Sequence, residues 1–369
     1  MSHSPESFRR RRQQVRKSLR TRRFDAVLVQ AERNVTWLTG FSGDSTWLLL
    51  TLDSERLISD FRYITQLEEE CPGVETLIRT SSTKLSDAVA MLVQAAGIER
   101  LGVEGHVITL ELAETVKAAL PKTSIESFAW EIEALRAIKD REEIAEIREA
   151  IRLAERGYDY FRAVLTPGKT ERQLAAELEF ALRQQGAQGL SFPAIVAVGD
   201  RAALPHYRPG NRLVSESPWL LLDWGARTHS GYCSDLTRML LTGKPDRKFE
   251  KIYRTVLEAQ LAAIERIAPG VSCSDVDSAA REVIHAAGFG KYFDHGLGHG
   301  IGLEVHESPR LSKKVETILQ AGMVVTVEPG IYLPGWGGVR IEDDVLVTRQ
   351  GHEVLSSVPK DFASVTVSC

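Results

Sequence analysis

This sequence has few cysteines, a small net charge and no long apolar run. Among its 369 residues, Cys71, Cys233, Cys273 and Cys369 are widely separated and form no CxxC spacing, which argues against a disulfide framework and favours a reduced, cytoplasmic setting. The net charge of -4 gives no reason to expect a nucleic acid partner. No apolar run approaches the ~18 residues that span a bilayer, and the N-terminus has no signal-peptide core, so we expect no membrane partner.

What the chain does contain is enough apolar sequence for two domains. A chain of 369 residues is longer than one that usually folds around a single hydrophobic core. A content of 43% apolar and 26% charged residues is typical of globular proteins. Short apolar runs alternate with helical patterns up to about residue 120, and a long helical block follows. We therefore predict an α/β domain over 1–125 and a second domain over 126–369.

In the first domain, strands are predicted at 25–30, 46–52, 56–60 and 101–105, and helices at 84–96 and 109–120. The isolated polar residues Asp44, Asp60 and His106 are interpreted as structural. An acid-free segment, Phe8 to Arg23, has the composition of a transit peptide or a polyanion contact. Its apolar residues recur at helical spacing, however, so we favour an amphipathic first helix with a solvated basic face.

The second domain begins with a helical block, 129–165, with a break near Asp140, where an N-cap restarts the helix. Thr170 is the predicted cap of a helix over 171–185. Further helices are predicted at 247–267 and 272–287, the latter capped by Ser272 or Ser274, and strands at 323–330 and 338–348.

The stretch from Pro218 to Arg238, PWLLLDWGARTHSGYCSDLTR, organises this domain. An apolar run ends on Asp223, Asp235 follows twelve positions later, and the turn residues between them predict a hairpin with one aspartate on each arm. Placing the aspartates opposite each other gives a three-residue loop, Thr228 to Ser230, with Gly231 in a bulge position. Facing side chains would lie about 5 Å apart. Two carboxylates so placed repel unless one is protonated or a cation lies between them.

A glycine-dense stretch, HGLGHGIGLEVHESP, runs from His295 to Pro309. The spacing of His295 and His299 resembles a zinc-binding HExxH helix, but Gly296 stands at the glutamate position, and each glycine would cost a helix about 1 kcal/mol. An extended or tightly turned backbone is therefore predicted, with glycines that allow close approach to a ligand or a metal.

Two further acids lie on apolar strands. Glu328 closes a run that a Pro-Gly pair stops, and Glu342 lies in a predicted strand whose same face carries Arg340 and Asp344. Singly, each acid fits an ordinary ion pair. Together with the hairpin aspartates they place four carboxylates in one apolar domain, which requires cations. Two divalent ions would neutralise four carboxylates, and a neutral His299 completes a candidate dinuclear site.

These residues lie in motifs that resemble the pita-bread metallopeptidases, a family that includes methionine aminopeptidase, aminopeptidase P and prolidase. The resemblance covers the chain from about residue 130 to its end and rests on the segments ALPHY, LLLDWGA, GYCSDLTR, GHGIGLEVHESP, TVEPGIY and GVRIEDDVLV. It implies an α/β N-terminal domain followed by an α+β pita-bread (creatinase/aminopeptidase) catalytic domain.

The resemblance also implies a role for each candidate. The implied metal ligands are Asp223, Asp235, His299, Glu328 and Glu342. Asp235 and Glu342 would bridge two divalent ions, with manganese expected and cobalt or zinc as alternatives. The implied catalytic residues are Glu328 for proton transfer, His306 for the oxyanion and His206 for the substrate backbone. The implied substrate-binding residues are His206, Tyr207, His295, His306 and Arg340, with Tyr207 and His295 in the proline pocket.

The N-terminal domain narrows the choice within the family. Methionine aminopeptidases lack such a domain of about 120 residues, whereas prolidases and aminopeptidases P have it. NVTWLTGFSGDSTWLLLT and SDFRYITQ also resemble bacterial Xaa-Pro aminopeptidases, although Phe61 stands where a glycine is common. The predicted function is hydrolysis of the bond between an N-terminal residue and a following proline in short peptides, by a homodimer.

Two departures from the family pattern are the twelve-residue aspartate interval, one longer than usual, and Tyr207, where many members have glycine.

Two other functions stay open at this point. One is a non-catalytic peptide-binding pita-bread protein, which would have lost its ligands. The other is a creatinase-like amidinohydrolase, which shares both domains but works without metal. The complete set of five ligands argues against both. The preference between dipeptides and longer peptides is also open, because it depends on how the far end of the cleft is closed.

Overall fold

The computed structural model describes residues 3–367, so Cys369 lies outside the described residues. The chain divides into two compact units, Met1–Arg136 and Ala137–Cys369. The division falls later than residue 125 because a short helix, Glu131–Arg136, belongs to the first unit. Within that unit Asn34 donates to Glu133 at 2.6 Å and accepts from Arg136 at 2.9 Å. Among the described residues, no helix combines the length and the apolar character needed to cross a bilayer.

The first unit is built on a six-stranded mixed sheet whose strands, from one edge to the other, are 75–79, 55–60, 47–51, 26–29, 100–103 and 124–127. Its helices are α1 (Pro5–Arg22), α2 (Glu32–Thr39), α3 (Ile64–Glu70), α4 (Leu85–Ala95), α5 (Leu110–Ala119) and α6 (Glu131–Arg136). Its strands are β1 (Ala26–Val29), β2 (Trp47–Thr51), β3 (Glu55–Asp60), β4 (Glu75–Arg79), β5 (Arg100–Val103) and β6 (Ser124–Ser127). The predicted strands and helices are confirmed. The two edge strands, β4 and β6, went unpredicted because none of their residues is buried and they form no apolar run.

Helix α1 confirms the amphipathic helix, but the prediction of a solvated basic face is wrong for Arg11 and Arg12. Both side chains are buried. They donate to the main-chain oxygens of Trp37 at 3.1 Å and Leu38 at 2.7 Å, near the end of α2. Helix C-terminal carbonyls lack partners within the helix and attract cations. The basic residues therefore join α1 to α2.

Within its described residues, the second unit combines four α-helices with antiparallel strands. The helices are α7 (Arg141–Val164), α8 (Glu171–Gln184), α9 (Arg247–Arg266) and α10 (Cys273–Ala286). The strands are β7 (Gly189–Leu190), β8 (Ile195–Val198), β9 (Trp219–Trp224), β10 (Ala226–Arg227), β11 (Leu236–Leu241), β12 (Gly298–Gly300), β13 (Glu307–Leu311), β14 (Val324–Val327), β15 (Gly330–Leu333), β16 (Gly337–Arg340), β17 (Asp343–Val347) and β18 (His352–Val354). The sheets have the orders β11-β9-β8 and β13-β12-β14-β17-β18, with separate pairs β7–β10 and β15–β16.

Helix starts in this unit follow the predicted caps. The side chain of Asp140 accepts from two amides in the first turn of α7, Thr170 caps α8, and Ser272 caps α10. A cap oxygen satisfies amides that have no partner in the helix. These short polar residues therefore fix where the helices that cover the sheets begin.

Strand β9 is buried on both faces and positions the first candidate ligand. Leu220 and Leu222 share a core with residues of α7 and α8, whereas Trp219 and Leu221 share a second core with residues of α9 and α10. Because side chains alternate along a strand, Asp223 continues the face of Trp219 and Leu221. Its carboxylate therefore lies inside the protein.

Candidate metal centre

The hairpin is present, but the residue paired with Asp223 is two positions from the predicted one, and the loop is shifted by one residue. Asp223 lies opposite Thr237, not opposite Asp235. The three-residue loop is 229–231, because the amide of Thr228 donates to Tyr232 across it. Gly231, with φ 93°, lies inside the loop, since glycine takes this left-handed conformation without steric cost. Asp235 is two residues from the partner of Asp223, so the two carboxylates still share a face.

His299 lies on β12, where its ring nitrogens have distinct partners. Nδ1 lies 3.1 Å from the carbonyl oxygen of Gly300. Because a carbonyl oxygen only accepts, Nδ1 carries the proton and Nε2 is left as the ligand atom. Nε2 lies 3.3 Å from Glu328 and 3.7 Å from Asp235. The glycines beside it are needed, because a Cβ at Gly298 or Gly300 would collide with main-chain oxygens of neighbouring strands.

Glu342 does not lie inside a continuous strand, which corrects the predicted strand over 338–348. The chain leaves β16 at Arg340 and enters β17 at Asp343, in a different sheet. Between them the amide of Glu342 donates to the carbonyl of Thr237 at 3.2 Å. The Thr237 hydroxyl in turn donates to the Glu342 carboxylate at 2.6 Å. Asp344 faces a different partner, the main-chain amide of Asp235 at 3.1 Å.

The structure brings all five predicted ligands together. Three groups each offer one atom per residue, all within 4.8 Å of one another: Asp223, Asp235 and Glu342; His299, Glu328 and Glu342; and Asp235, His299 and His306. Glu342, Asp235 and His299 each belong to two groups, and the first two of these are carboxylates. Shared carboxylates of this kind suit ligands that bridge two adjacent cations.

Burial and mutual repulsion perturb the carboxylates. Burial first, and then the charges of neighbouring acids, raise the pKa of Asp235 and of Glu342 well above the usual range. The pKa of Asp223 is also raised by burial, against the opposing charge of Arg340. Burial alone would raise the pKa of Glu328, but its contact with His299 and the charge of Arg340 lower it overall. Such a cluster needs compensating positive charge.

The donor set fits divalent cations. Within residues 3–367, Oδ1 of Asp223 and Oε1 of Glu342 are buried and have no hydrogen-bond partner. Buried carboxylate oxygens without partners are costly unless a cation binds them. Four carboxylates and one imidazole match the ligands of manganese, cobalt or zinc.

A hydrogen-bonded chain extends from the cluster to His295. Arg340 contacts Asp223 at 2.5 Å and donates to the hydroxyl of Tyr332 at 2.9 Å. That hydroxyl lies 3.0 Å from Nε2 of His295, whose Nδ1 is directed at the carbonyl of Gly296. Sequence reasoning missed Tyr332 and Thr237. The alternation of β11, which puts Thr237 on the face of Asp235, was the available signal for Thr237.

The remaining predicted residues lie at the rim. His306 is exposed, with its ring 4.3 Å from that of His299. Loss of hydration is the main reason why the pKa of His306 falls to about 4. His206 is also exposed, and the carbonyl oxygen of its neighbour Pro205 lies 3.5 Å from the side chain of Arg340. Tyr207 is not in the cluster, since its hydroxyl donates to Glu171 at 2.8 Å.

Comparisons with known proteins agree with this geometry. Residues 145–349 match the family model of Metallopeptidase family M24, and residues 11–138 match the Creatinase/Prolidase N-terminal domain. The chain is 37% identical to the Xaa-Pro dipeptidase of Pyrococcus horikoshii over 342 residues, which covers 92% of this chain and 94% of that protein.

Two solved structures are similar over nearly their whole length. The Xaa-Pro dipeptidase from Bacillus anthracis has a TM-score of 0.92 at 37% identity, over 96% of this chain and 99% of that chain. The X-Pro aminopeptidase from Thermotoga maritima has a TM-score of 0.86 at 35% identity, over 94% and 99%. The predicted fold class, an α/β domain followed by an α+β pita-bread domain, is confirmed. The chain belongs to metallopeptidase family M24 and carries the creatinase/prolidase N-terminal domain.

Proposed function

We propose that this protein is a metallo-exopeptidase that hydrolyses the bond between an N-terminal residue and a following proline. The observation that carries the proposal is the convergence of four carboxylates and Nε2 of His299, with Asp235 and Glu342 each shared between groups. Similarity to an Xaa-Pro dipeptidase over 92% of this chain supports the substrate class.

The proposed cofactor is a pair of divalent ions, with manganese expected and cobalt or zinc as alternatives. Asp223 would hold one ion, His299 and Glu328 the other, and Asp235 and Glu342 both. When bound, the ions would lower the pKa of a water molecule and polarise the scissile carbonyl.

The side chains around the ligands supply the remaining chemistry. Glu328 is proposed to accept the proton of the attacking water and pass it towards the leaving nitrogen. Its less buried position supports this role, because its side chain is 18% exposed. His306, beside His299 at the rim, is proposed to donate to the developing oxyanion. His206 is proposed to bind the substrate backbone near the scissile bond.

Recognition of proline has to rely on shape, because a proline nitrogen in a peptide carries no N–H. His295 and the ring of Tyr207 are proposed to line the proline pocket. Arg340 is proposed to orient the proline pocket, since it contacts Asp223 and, through Tyr332, His295. These groups would also exclude water from the reacting bond.

Two substrate lengths remain candidates, since one similar structure is an Xaa-Pro dipeptidase and another an X-Pro aminopeptidase. The deciding experiment compares turnover of Xaa-Pro with that of Xaa-Pro-Yaa-Zaa by the manganese-loaded protein. Faster cleavage of the dipeptide assigns a dipeptidase, and faster cleavage of the longer peptide assigns an aminopeptidase. Failure to cleave either, with metal bound, contradicts the proposed function.

The proposed setting is the cytoplasm, and the proposed assembly is a homodimer. The cysteines within 3–367, Cys71, Cys233 and Cys273, are buried and far apart in the sequence, which supports a reducing compartment. Sedimentation of the purified protein tests the assembly.

A further inference from the structure

The segment between β8 and β9 carries His206 and is attached to the first turn of α8. Glu171, the first residue of α8, is completely buried. Its carboxylate accepts three hydrogen bonds from this part of the chain: from the amide of Val198 at 2.8 Å, the hydroxyl of Tyr207 at 2.8 Å and the amide of Gly210 at 2.9 Å. A buried carboxylate with three short donors is strongly held.

The attachment is reciprocal, because the start of α8 also donates to the segment. The amide of Glu171 donates to the carbonyl of Arg212, and the amide of Arg172 donates to the carbonyl of Gly210, both at 3.0 Å. These amides belong to the first turn of a helix, where no partner exists within the helix. The segment therefore satisfies the helix N-terminus while the side chain of Glu171 satisfies the segment.

The other side of the segment is attached to the metal centre. Arg340, which contacts Asp223, also reaches the carbonyl of Pro205 at 3.5 Å. His206 thus lies between Pro205, which faces Arg340, and Tyr207, which is bound to Glu171. Its own ring is exposed, so the two neighbours provide the attachments that hold it.

We propose that Glu171 is a positioning residue for the reaction, and that it acts by holding Tyr207 and Gly210 so that His206 is directed at the substrate. This inference rests on the proposed role of His206 as a substrate-binding residue. Glu171 itself touches neither the ligands nor the rim histidines. Its effect on the reaction has to pass through the segment and should therefore depend on the presence of His206. The effect of a purely structural carboxylate would not depend on His206.

The test is a mutant cycle on Xaa-Pro hydrolysis with manganese-loaded protein. Glu171→Gln keeps the size of the side chain but replaces one acceptor oxygen by a donor, which opposes the donors it faces. We expect kcat/KM to fall about tenfold or more, with bound manganese unchanged. In a His206→Ala background the same change should alter kcat/KM by less than about twofold, because residues that act through one another are not additive.

Glu177→Gln is the matched control, because Glu177 lies on the same helix but pairs with Lys169 at the surface. It should leave kcat/KM and manganese content at the wild-type values. Tyr207→Phe removes one of the three donors and should cause a smaller fall that also vanishes in the His206→Ala background. If Glu171→Gln does not fold, the Tyr207→Phe cycle decides the question.

Amide hydrogen exchange gives a readout that does not depend on activity. In Glu171→Gln, exchange should accelerate at residues 198–210 and not in β9 or β12. A full fall in kcat/KM in the His206→Ala background, a loss of manganese, or unchanged exchange at 198–210 would each overturn the proposal. A wild-type protein that fails to cleave Xaa-Pro peptides contradicts the proposed function instead, and the exchange measurement then decides on Glu171 alone.

Discussion

Asp235 lies among other acids at the centre, and their charges repel its own. It is buried, and burial together with Glu342, Asp223 and Glu328 raises its pKa well above the usual range. In the metal-free protein its charge opposes folding, whereas with cations bound the same charge holds them. The charge of Asp235 therefore has opposite effects on the stability of the metal-free and of the metal-loaded protein.

The variant Asp235→Asn tests this reversal. We expect it to weaken manganese binding more than about tenfold and to lower kcat/KM by more than about a hundredfold, since a ligand matters at least as much as its supporting residues. The metal-free variant should unfold at a higher temperature than the metal-free wild type, because one buried charge has been removed.

Isothermal titration and thermal melting with and without manganese provide the measurements for Asp235→Asn. Asp294→Asn is the control, because the side chain of Asp294 is 95% exposed and its removal should change neither quantity. Full activity of Asp235→Asn after removal and readdition of metal is the result that the account does not allow.

Among the elements, strand β12 depends on small residues. Gly300 faces the main-chain oxygens of Glu307 and Ser308 so closely that a Cβ would overlap them. Overpacking of this kind costs about 1–3 kcal/mol. Gly300→Ala should lower the free energy of unfolding by that amount and weaken manganese binding, because His299 is its neighbour in the strand.

Gly168→Ala is the matched control for Gly300→Ala, since a Cβ there meets no atom within 4 Å. Urea unfolding and manganese titration of both variants make the comparison. Equal stability of the two variants would contradict the close packing of β12 against β13.

In the first unit, Asp60 links the ends of β3 and β4 through charge. Its carboxylate accepts from the side chain of Arg62 at 2.9 Å and from Arg79 at 2.9 Å. The hydrogen bond from Arg62 is the main reason why its pKa falls from 3.8 to about 2. Because the pKa is lower in the folded protein, the carboxylate stabilises folding above pH 3.8, and this contribution disappears as the pH falls from 3.8 to about 2.

Asp60→Asn should therefore be less stable than the wild type at pH 7, by on the order of 1 kcal/mol, since exposure of Arg62 weakens the pair. The difference between the two proteins should shrink as the pH falls through this window. Urea unfolding of both proteins at several pH values gives the measurement. A difference that stays constant down to pH 2 would mean that the charge of Asp60 makes no contribution.

At the scale of the whole molecule, the sequence predicted most of the elements and the clustering of the five candidate ligands, because these residues stand out in the local pattern. Asp223 and Glu328 stand at the ends of buried strands, and His299 stands among glycines that no helix accepts. The helix caps Asp140 and Thr170 could also be predicted from the sequence, because an N-cap depends only on neighbouring residues. Local patterns, together with the resemblance of the motifs to a known family, thus account for the predicted fold class and the five candidate ligands.

Relations between distant residues could not be predicted in the same way. The register of the hairpin depends on where Gly231 enters the left-handed conformation, which a residue count does not determine. The break before Glu342 is hidden because the apolar pattern runs through it. Arg340 contacts Asp223, 117 positions away, and Glu171 binds Tyr207 across 36 positions. These contacts follow from packing of whole elements.

The central claim is that five side chains of the second unit hold two divalent ions. Anomalous diffraction from crystals of the manganese-loaded protein tests it most directly. The account predicts two peaks per chain, about 3.5–4 Å apart, both in contact with Asp235 and Glu342 and flanked by Asp223, His299 and Glu328. Peaks elsewhere in the molecule, or no manganese bound at these residues, would contradict it.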